Sequence, residues 1–561
     1  MYALVTLVLL SLGVVFALIM RRVNMPEVSG YIAGGFVAAF LMTHLSVDVV
    51  EATKFIDPLK WFGLILFVFE VSASLEFKKL SKAVNKALAV EILSYVTIWL
   101  LSSVIALLFD MDTLSRLAIF MMMINSSTAA IATIRSKGPT SSQGFLEGLA
   151  TNAVVQTSLE DFVQFMLFTV FMSMGFVLVH PAEALWLILG LVATASLFVL
   201  ASRFVLKPIL TSPLAQEKES KFFLSITIAI LFATLARFVG LPELFGAFIG
   251  GVVFAYFHSV SDISDLLKGP RDVGLLLYFT SLGLQLYLDI TTGVAEPLII
   301  GLGLLIGLTA TAARMVGIFL GCGLSGVGLR NSIILALLLS PLSEMGIILT
   351  DSLATTGVVA RDMVSVSVIS VVVSLIFFSL AFPNGLKMLD RIESAIPRKV
   401  VVLFETLSER YVKRVEFTVA LLSPIVKFSI VLLAVSYLNT ISVDLIRPLG
   451  LPSYVDVIIG VVSMIVISVA LALTLRKIYR IVLTSALRSI RSLRELVSRL
   501  LDIVIGGLAT TFQIIIVFET IIRLEVLESI YELSAIIISI AIVLTTVYEI
   551  HRYLKRSAAP T

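Results

Sequence analysis

The chain is a succession of apolar runs of about twenty residues, each long enough to cross a bilayer core of roughly 30 Å, separated by short charged segments. Only 14% of its 561 residues are charged and 59% are hydrophobic, where a soluble domain carries about a quarter charged residues. Mean hydropathy is +1.07. No soluble core accommodates that pattern, so the chain reads as an all-α polytopic membrane protein. Its first run, Tyr2 to Met20, has neither a charged leading segment nor a small-residue cleavage site, and is expected to be a retained span.

One cysteine, Cys322, and four histidines exclude a disulfide framework and a cysteine-based metal cluster. With no nucleophile–base pair evident, the chain is not expected to be an enzyme or to hold a cofactor. Scarce Asn and Gln beside abundant Ile, Val and Leu fit a thermophilic prokaryote. The net charge of +3 points to no nucleic-acid partner.

Thirteen spans are expected at 2–20, 26–43, 58–75, 86–109, 114–134, 147–175, 183–205, 221–239, 241–258, 271–288, 294–320, 331–351 and 362–383. The loops supply an independent check, because cytoplasmic loops are rich in Lys and Arg. Loops after odd-numbered spans hold Arg21 and Arg22, Lys78, Lys79 and Lys82, Arg135 and Lys137, Lys207 and Lys218, Lys268 and Arg271, and Arg330. Those after even-numbered spans hold Asp48 and Glu51, Asp110 and Asp112, Glu183, Asp289 and Glu296, with Lys54 and Arg361 as exceptions. The N-terminus is therefore expected outside. Residues 386–416 read as a basic cytoplasmic linker, and 417–561 as a helical membrane module with four more spans near 417–440, 453–474, 502–522 and 532–550. Within that module, 476–500 is a basic amphipathic helix, equally suited to an anionic leaflet surface and to a solvated linker.

Ionisable groups inside a span are unfavourable in hydrocarbon and mark function by default. Five lie deep: Glu70, the adjacent Glu160 and Asp161, Arg314 and Glu344. Glu91, Glu243, Arg237 and Arg116 lie near expected span ends and are set aside as interfacial. Two spans also carry helix-disrupting polar sequence at depth: Asn125, Ser126, Ser127 and Thr128 in the fifth, and Ser340, Pro341 and Ser343 before Glu344 in the twelfth. Pro removes a backbone donor and Ser, Thr and Asn side chains compete for the groups it frees. Irregular backbone at such depth is tolerated only where it lines a cavity or is buried in protein. The two breaks lie seven span positions apart, an odd offset, so they run in opposite directions, as matching members of inverted repeats do in secondary transporters. Each feature alone has an ordinary reading: a structural hydrogen bond for a lone acid, helix-packing contacts for Ser and Thr. Their conjunction points to transport.

Six segments in order resemble the monovalent cation:proton antiporter superfamily across about residues 1–385: MPEVSGYIAGG (25–35), SSTAAIA (126–132), GLPELFGAFIGGVVFA (240–255), LYFTSLGLQLYL (277–288), ARMVG (313–317) and SPLSEMGI (340–347). The resemblance implies a 13-span inverted-repeat fold with two unwound crossing helices, a homodimer, and exchange of Na+ or K+ for H+ by alternating access. In that family the sixth span carries a two-residue signature, Asp-Asp, Asn-Asp or Gln-Asp, and here it is Glu160-Asp161. The resemblance assigns a monovalent cation or a proton to Asp161, with Thr157 one helical turn earlier, Thr128, Ser127 and Glu70 as further ion-binding groups and Ser158 as a substitute donor. It pairs Glu160 with Arg314. Asn125, Ser126, Ser340, Pro341, Ser343 and Glu344 fall at the crossing, with Glu344 either holding it together, the favoured role, or acting as a second proton relay. Because arginine does not release its proton, the exchange is expected to be electroneutral. A cation channel, or a sensor read out by the C-terminal module, is the alternative.

Overall fold

The computed structural model describes residues 2–23, 25–45, 56–73, 77–135, 217–238, 242–255, 260–293, 296–325 and 327–396, a discontinuous set between 149 and 172, and positions 462 and 473. Apart from positions 462 and 473, the expected span at 183–205, the four C-terminal spans and the 476–500 helix therefore lie outside the described residues. The chain divides into two compact units, Met1–Cys322 with Leu329–Ile396, and Gly323–Gly328 with Pro397–Thr561. The site described below belongs to the first.

Fourteen helices are described in full: α1 (Tyr2–Arg22), α2 (Glu27–His44), α3 (Asp57–Ala73), α4 (Phe77–Leu108), α5 (Thr113–Met123), α6 (Thr128–Arg135), α7 (Lys218–Phe238), α8 (Glu243–Ala255), α9 (Val260–Thr291), α10 (Pro297–Leu324), α11 (Leu329–Leu338), α12 (Glu344–Thr355), α13 (Asp362–Lys387) and α14 (Leu389–Ala395). The 153–172 stretch is helical at every described position. Five segments, Val5–Arg22, Lys218–Phe238, Leu266–Thr291, Pro297–Gly323 and Asp362–Lys387, are long and apolar enough to cross a membrane.

The helices differ from the expected spans where hydropathy is a poor guide to hydrogen bonding. Helix α4 begins nine residues before the expected span at 86, and α9 runs unbroken through Pro270 for 32 residues. Apolarity marks only the part of a helix in hydrocarbon, whereas backbone hydrogen bonding continues past it. Arg271, expected in a loop, therefore sits inside α9. The spans expected at 114–134 and 331–351 are each two short helices, α5 with α6 and α11 with α12.

Close helix packing uses small residues, which let backbones approach in the absence of a hydrophobic drive between helices. A Cβ on Gly35 of α2 would lie 1.8 Å from the carbonyl oxygen of Thr280 on α9, and one on Gly283 of α9 would lie 1.9 Å from that of Ile32 on α2. Neither position admits a side chain. Around them Leu9, Ala38, Met42, Leu277 and Leu284 form a buried apolar cluster. Helix α14 and the end of α13 carry the chain into the expected linker, and Arg330 at the start of α11 holds Asp390 of α14 at 2.8 Å.

Candidate functional site

Helix α5 starts under Asp112, whose carboxylate accepts from the Leu114 and Ser115 amides, and ends at Met123. The chain is non-helical from Ile124 to Ser127 and turns helical again at Thr128. In the second break, α11 stops at Leu338 and α12 starts at Glu344. The two irregular segments lie antiparallel and pair through backbone: Ser127 N donates to Pro341 O at 2.9 Å and Ser343 N to Asn125 O at 3.0 Å. Backbone polar groups freed by each break are thus partly satisfied by the other, as a buried break requires. A third helix contributes: Ser374 Oγ of α13 accepts from Leu342 N at 2.8 Å.

Both returning helices begin with a serine cap. Ser127 Oγ accepts from Ala130 N and Ser343 Oγ from Met345 N, each at 3.2 Å, satisfying amides that a helix start leaves open. Glu344 is the first residue of α12, where the positive end of the helix dipole favours an anion, and it accepts from Ser127 Oγ at 3.0 Å. It is thereby tied to the start of α6 as well.

The opposite ends meet a cation. Arg314 of α10 is fully buried, and its Nη1 donates to Met123 O at 3.2 Å while its Nε donates to Leu339 O at 3.1 Å. These are terminal carbonyls of α5 and of the α11 segment, where a positive charge is favoured. Arg314 Nη2 donates to Ser126 Oγ at 2.5 Å and to Glu160 Oε1 at 3.1 Å. Glu160 is also fully buried and accepts from Ser126 N at 2.5 Å through Oε2. The guanidinium, the carboxylate and the Ser126 corner form one hydrogen-bonded unit.

Asp161 is bound differently. Its Oδ1 accepts from Asn125 Nδ2 at 2.5 Å. Asn125 also donates to Gln164 Oε1 at 2.8 Å, and Gln164 Nε2 donates to Met121 O at 2.8 Å. Asn125 Oδ1 is buried without a hydrogen-bond partner. Thr157 is fully buried one turn before Asp161, its hydroxyl donating to Val154 O at 3.0 Å and leaving its oxygen lone pairs open. Ser158 donates to the same carbonyl at 2.9 Å. Thr128 opens α6 and is half-buried.

Glu70 has a different partner. Its Oε2 accepts from Arg271 Nη1 at 2.6 Å, on the face where α3 meets α9. Arg271 was expected in a loop, and the length of α9 is what brings it there.

Several buried polar positions were missed. Glu91, set aside as interfacial, is fully buried, with Gln156 Nε2 donating to its Oε1 at 2.9 Å. Arg116, also set aside, is buried with its guanidinium 5.0 Å from the centre of the Trp99 ring. Arg237 and Glu243 do pair at an exposed edge, at 2.9 Å. Two signals were available in the sequence: Gln156 lies four residues before Glu160, and Gln164 three after Asp161, both on the helix faces of those acids.

Residues 6–386 match the sodium/hydrogen exchanger family, transmembrane region. No curated protein matches. Among solved structures, the chain is similar to the sodium proton antiporter MjNhaP1 of Methanocaldococcus jannaschii. The likeness to one structure has 13% identity and a TM-score of 0.49 over 68% of this chain and 98% of that one. For an electron-microscopy structure of the same protein the identity is 14% and the TM-score 0.41, over 70% and 97%. The family match takes in more than half of the chain and every residue of the two breaks, the acid pair and Arg314, and on it the chain belongs to the sodium/hydrogen exchanger family.

Proposed function

We propose that the chain exchanges a monovalent cation, Na+ or K+, for a proton at Asp161. The observation that carries this reading is the division of partners within the acid pair. Arg314 is engaged by Glu160, Ser126 and two carbonyls, and the hydrogen bond described to Asp161 comes from a neutral amide. A buried carboxylate without a basic partner is disfavoured as a bare charge. It is neutralised by a proton or by a cation, and the two compete. The Asp161 carboxylate, the Thr157 hydroxyl and the free Asn125 Oδ1 supply the oxygen ligands that a hard alkali cation takes. Thr128 and Ser127 stand at the start of α6 as further oxygens.

Alternation then follows from occupancy. A site holding either ion is close to neutral and can change its access side, whereas an empty charged site resists the move. The two antiparallel breaks, joined among the described residues by two backbone hydrogen bonds, support an inverted-repeat exchanger, and the basic loops after odd-numbered spans support an N-terminus outside the cell membrane. Arg314 stays protonated, so one proton moves per cation and the exchange is electroneutral.

Proteoliposomes containing the full chain test the reading. Addition of Na+, Li+ or K+ should drive proton movement, and Asp161→Asn should abolish it. A cation leak with no proton movement would identify a channel, and a rate that follows an imposed membrane potential would overturn electroneutrality.

A further inference from the structure

Glu91 has no role in the exchange at Asp161, yet it is fully buried beside the acid pair. Its Oε1 accepts from Gln156 Nε2 at 2.9 Å. Its Oε2 is buried with no hydrogen-bond partner. Gln156 and Glu160 leave the same face of their helix, one turn apart. Glu91 is held by the first, and the second is paired with Arg314 at 3.1 Å.

The surroundings are tightly packed. Helices α4 and α10 touch backbone to backbone around this group: a Cβ on Gly321 would lie 2.0 Å from Val90 O, and one on Gly317 would lie 2.5 Å from Ser94 Cα. Thr97 Oγ1 donates across the same seam to Ala313 O at 3.2 Å. The groups facing Glu91 are Gln156 and Glu160 from the 153–172 stretch, Arg314 from α10, and the unpartnered Tyr95 hydroxyl one turn along α4. Asp161 looks toward Asn125, and Glu344 toward Ser127. No basic group other than Arg314 is described in this set, and all its described hydrogen bonds go elsewhere than to Glu91.

Two carboxylates against one guanidinium, all three fully buried, leave an uncompensated negative charge, which is strongly disfavoured. Carboxylate oxygens are acceptors only, so Glu91 and Glu160 repel when both are ionised. They bond when one carries a proton. With Glu91 Oε1 already accepting from Gln156, Oε2 is the oxygen free to carry that proton and donate it to Glu160. We propose that Glu91 carries a proton on Oε2, which it donates toward Glu160, forming a second proton-binding site separate from Asp161 and retained through the transport cycle. The proton neutralises the cluster around Arg314, which lets Glu160 remain on the guanidinium while Asp161 changes its ion. The counted exchange at Asp161 is unaltered, because this proton is not released to either side.

Infrared absorption spectroscopy of the full chain in liposomes, with the spectrum of Glu91→Gln subtracted from that of the wild type, reads the protonated carboxyl directly. In the wild-type protein saturated with Na+, where Asp161 carries the cation, a protonated-carboxyl C=O band should persist, and its absence overturns the proposal. The same band should survive Asp161→Asn and disappear when Glu91→Gln is added. A band unaffected by Glu91→Gln also overturns it, since the proton would then belong to another acid such as Glu344. Glutamine at Glu91 keeps the shape and the donor of the protonated acid, so Glu91→Gln alone should retain exchange within about threefold of wild type, as expected for removal of a group that never charges. A changed ratio of protons to cations in that variant would show that the Glu91 proton is carried across, contrary to the proposal.

Discussion

Arg314 Nη2 lies 3.1 Å from Glu160 Oε1, and both side chains are completely buried. The pair also secures the ends of two broken helices, through Met123 O, Leu339 O and Ser126. Replacing one partner leaves the other as an uncompensated buried charge, a loss of about 3–5 kcal/mol in comparable pairs. Arg314→Ala and Glu160→Ala are each expected to lower the thermal unfolding temperature of the purified protein sharply. The double variant should lose less than the sum of the two. A strictly additive result would show that the two side chains do not depend on one another.

Competition at Asp161 fixes the sign of the pH dependence. Protons and cations exclude each other there, so acidification must raise the cation concentration needed for half-maximal exchange. Where the site is mostly protonated, each pH unit should raise that concentration by up to about tenfold. Flux titrations at several pH values check this, and a half-maximal concentration independent of pH would separate the proton site from the cation site.

Asn125 donates to Asp161 at 2.5 Å and leaves its own Oδ1 unpaired. Asn125→Ala removes the donor and a ligand oxygen together. The expected loss is about 1–3 kcal/mol, the range for an unsatisfied buried partner, seen as a rise of about five- to 150-fold in the half-maximal cation concentration. Thr157→Ser, which keeps the hydroxyl, should be much milder than Thr157→Val.

Gly283 approaches Ile32 so closely that any side chain displaces the α2 backbone. Gly283→Val is expected to reduce the yield of folded protein. Gly301 has open space around its would-be Cβ, and Gly301→Ala should be tolerated or slightly stabilising, since alanine is the better helix former by about 1 kcal/mol. Size-exclusion profiles of the two variants compare them directly.

Glu70 and Arg271 join α3 to α9 at 2.6 Å and are mostly buried. If Glu70 acts only through this contact, Glu70→Gln should lower stability while leaving the half-maximal cation concentration within about twofold. A large change in that concentration would instead make Glu70 part of the ion path.

The sequence by itself determined the membrane class, the two helix breaks and the identity of the acid pair. Each of these is local: hydrocarbon demands apolar runs, Pro341 cannot donate to a helix, and charge in a span stands out against Leu and Val. The Glu160–Arg314 pair was implied by the family resemblance and not by residue spacing, and tertiary structure alone decided the partners of Asp161, Glu70 and Glu91. Glu160 and Arg314 are 154 residues apart in sequence, and no periodicity connects them. Nor does the text of the chain reveal that Glu91, near the expected edge of a span, is enclosed by the backbone contact of α4 with α10, or that Arg271 lies in a helix and reaches Glu70. Burial and pairing depend on which surfaces meet, and that is a property of the packed helices rather than of any one of them.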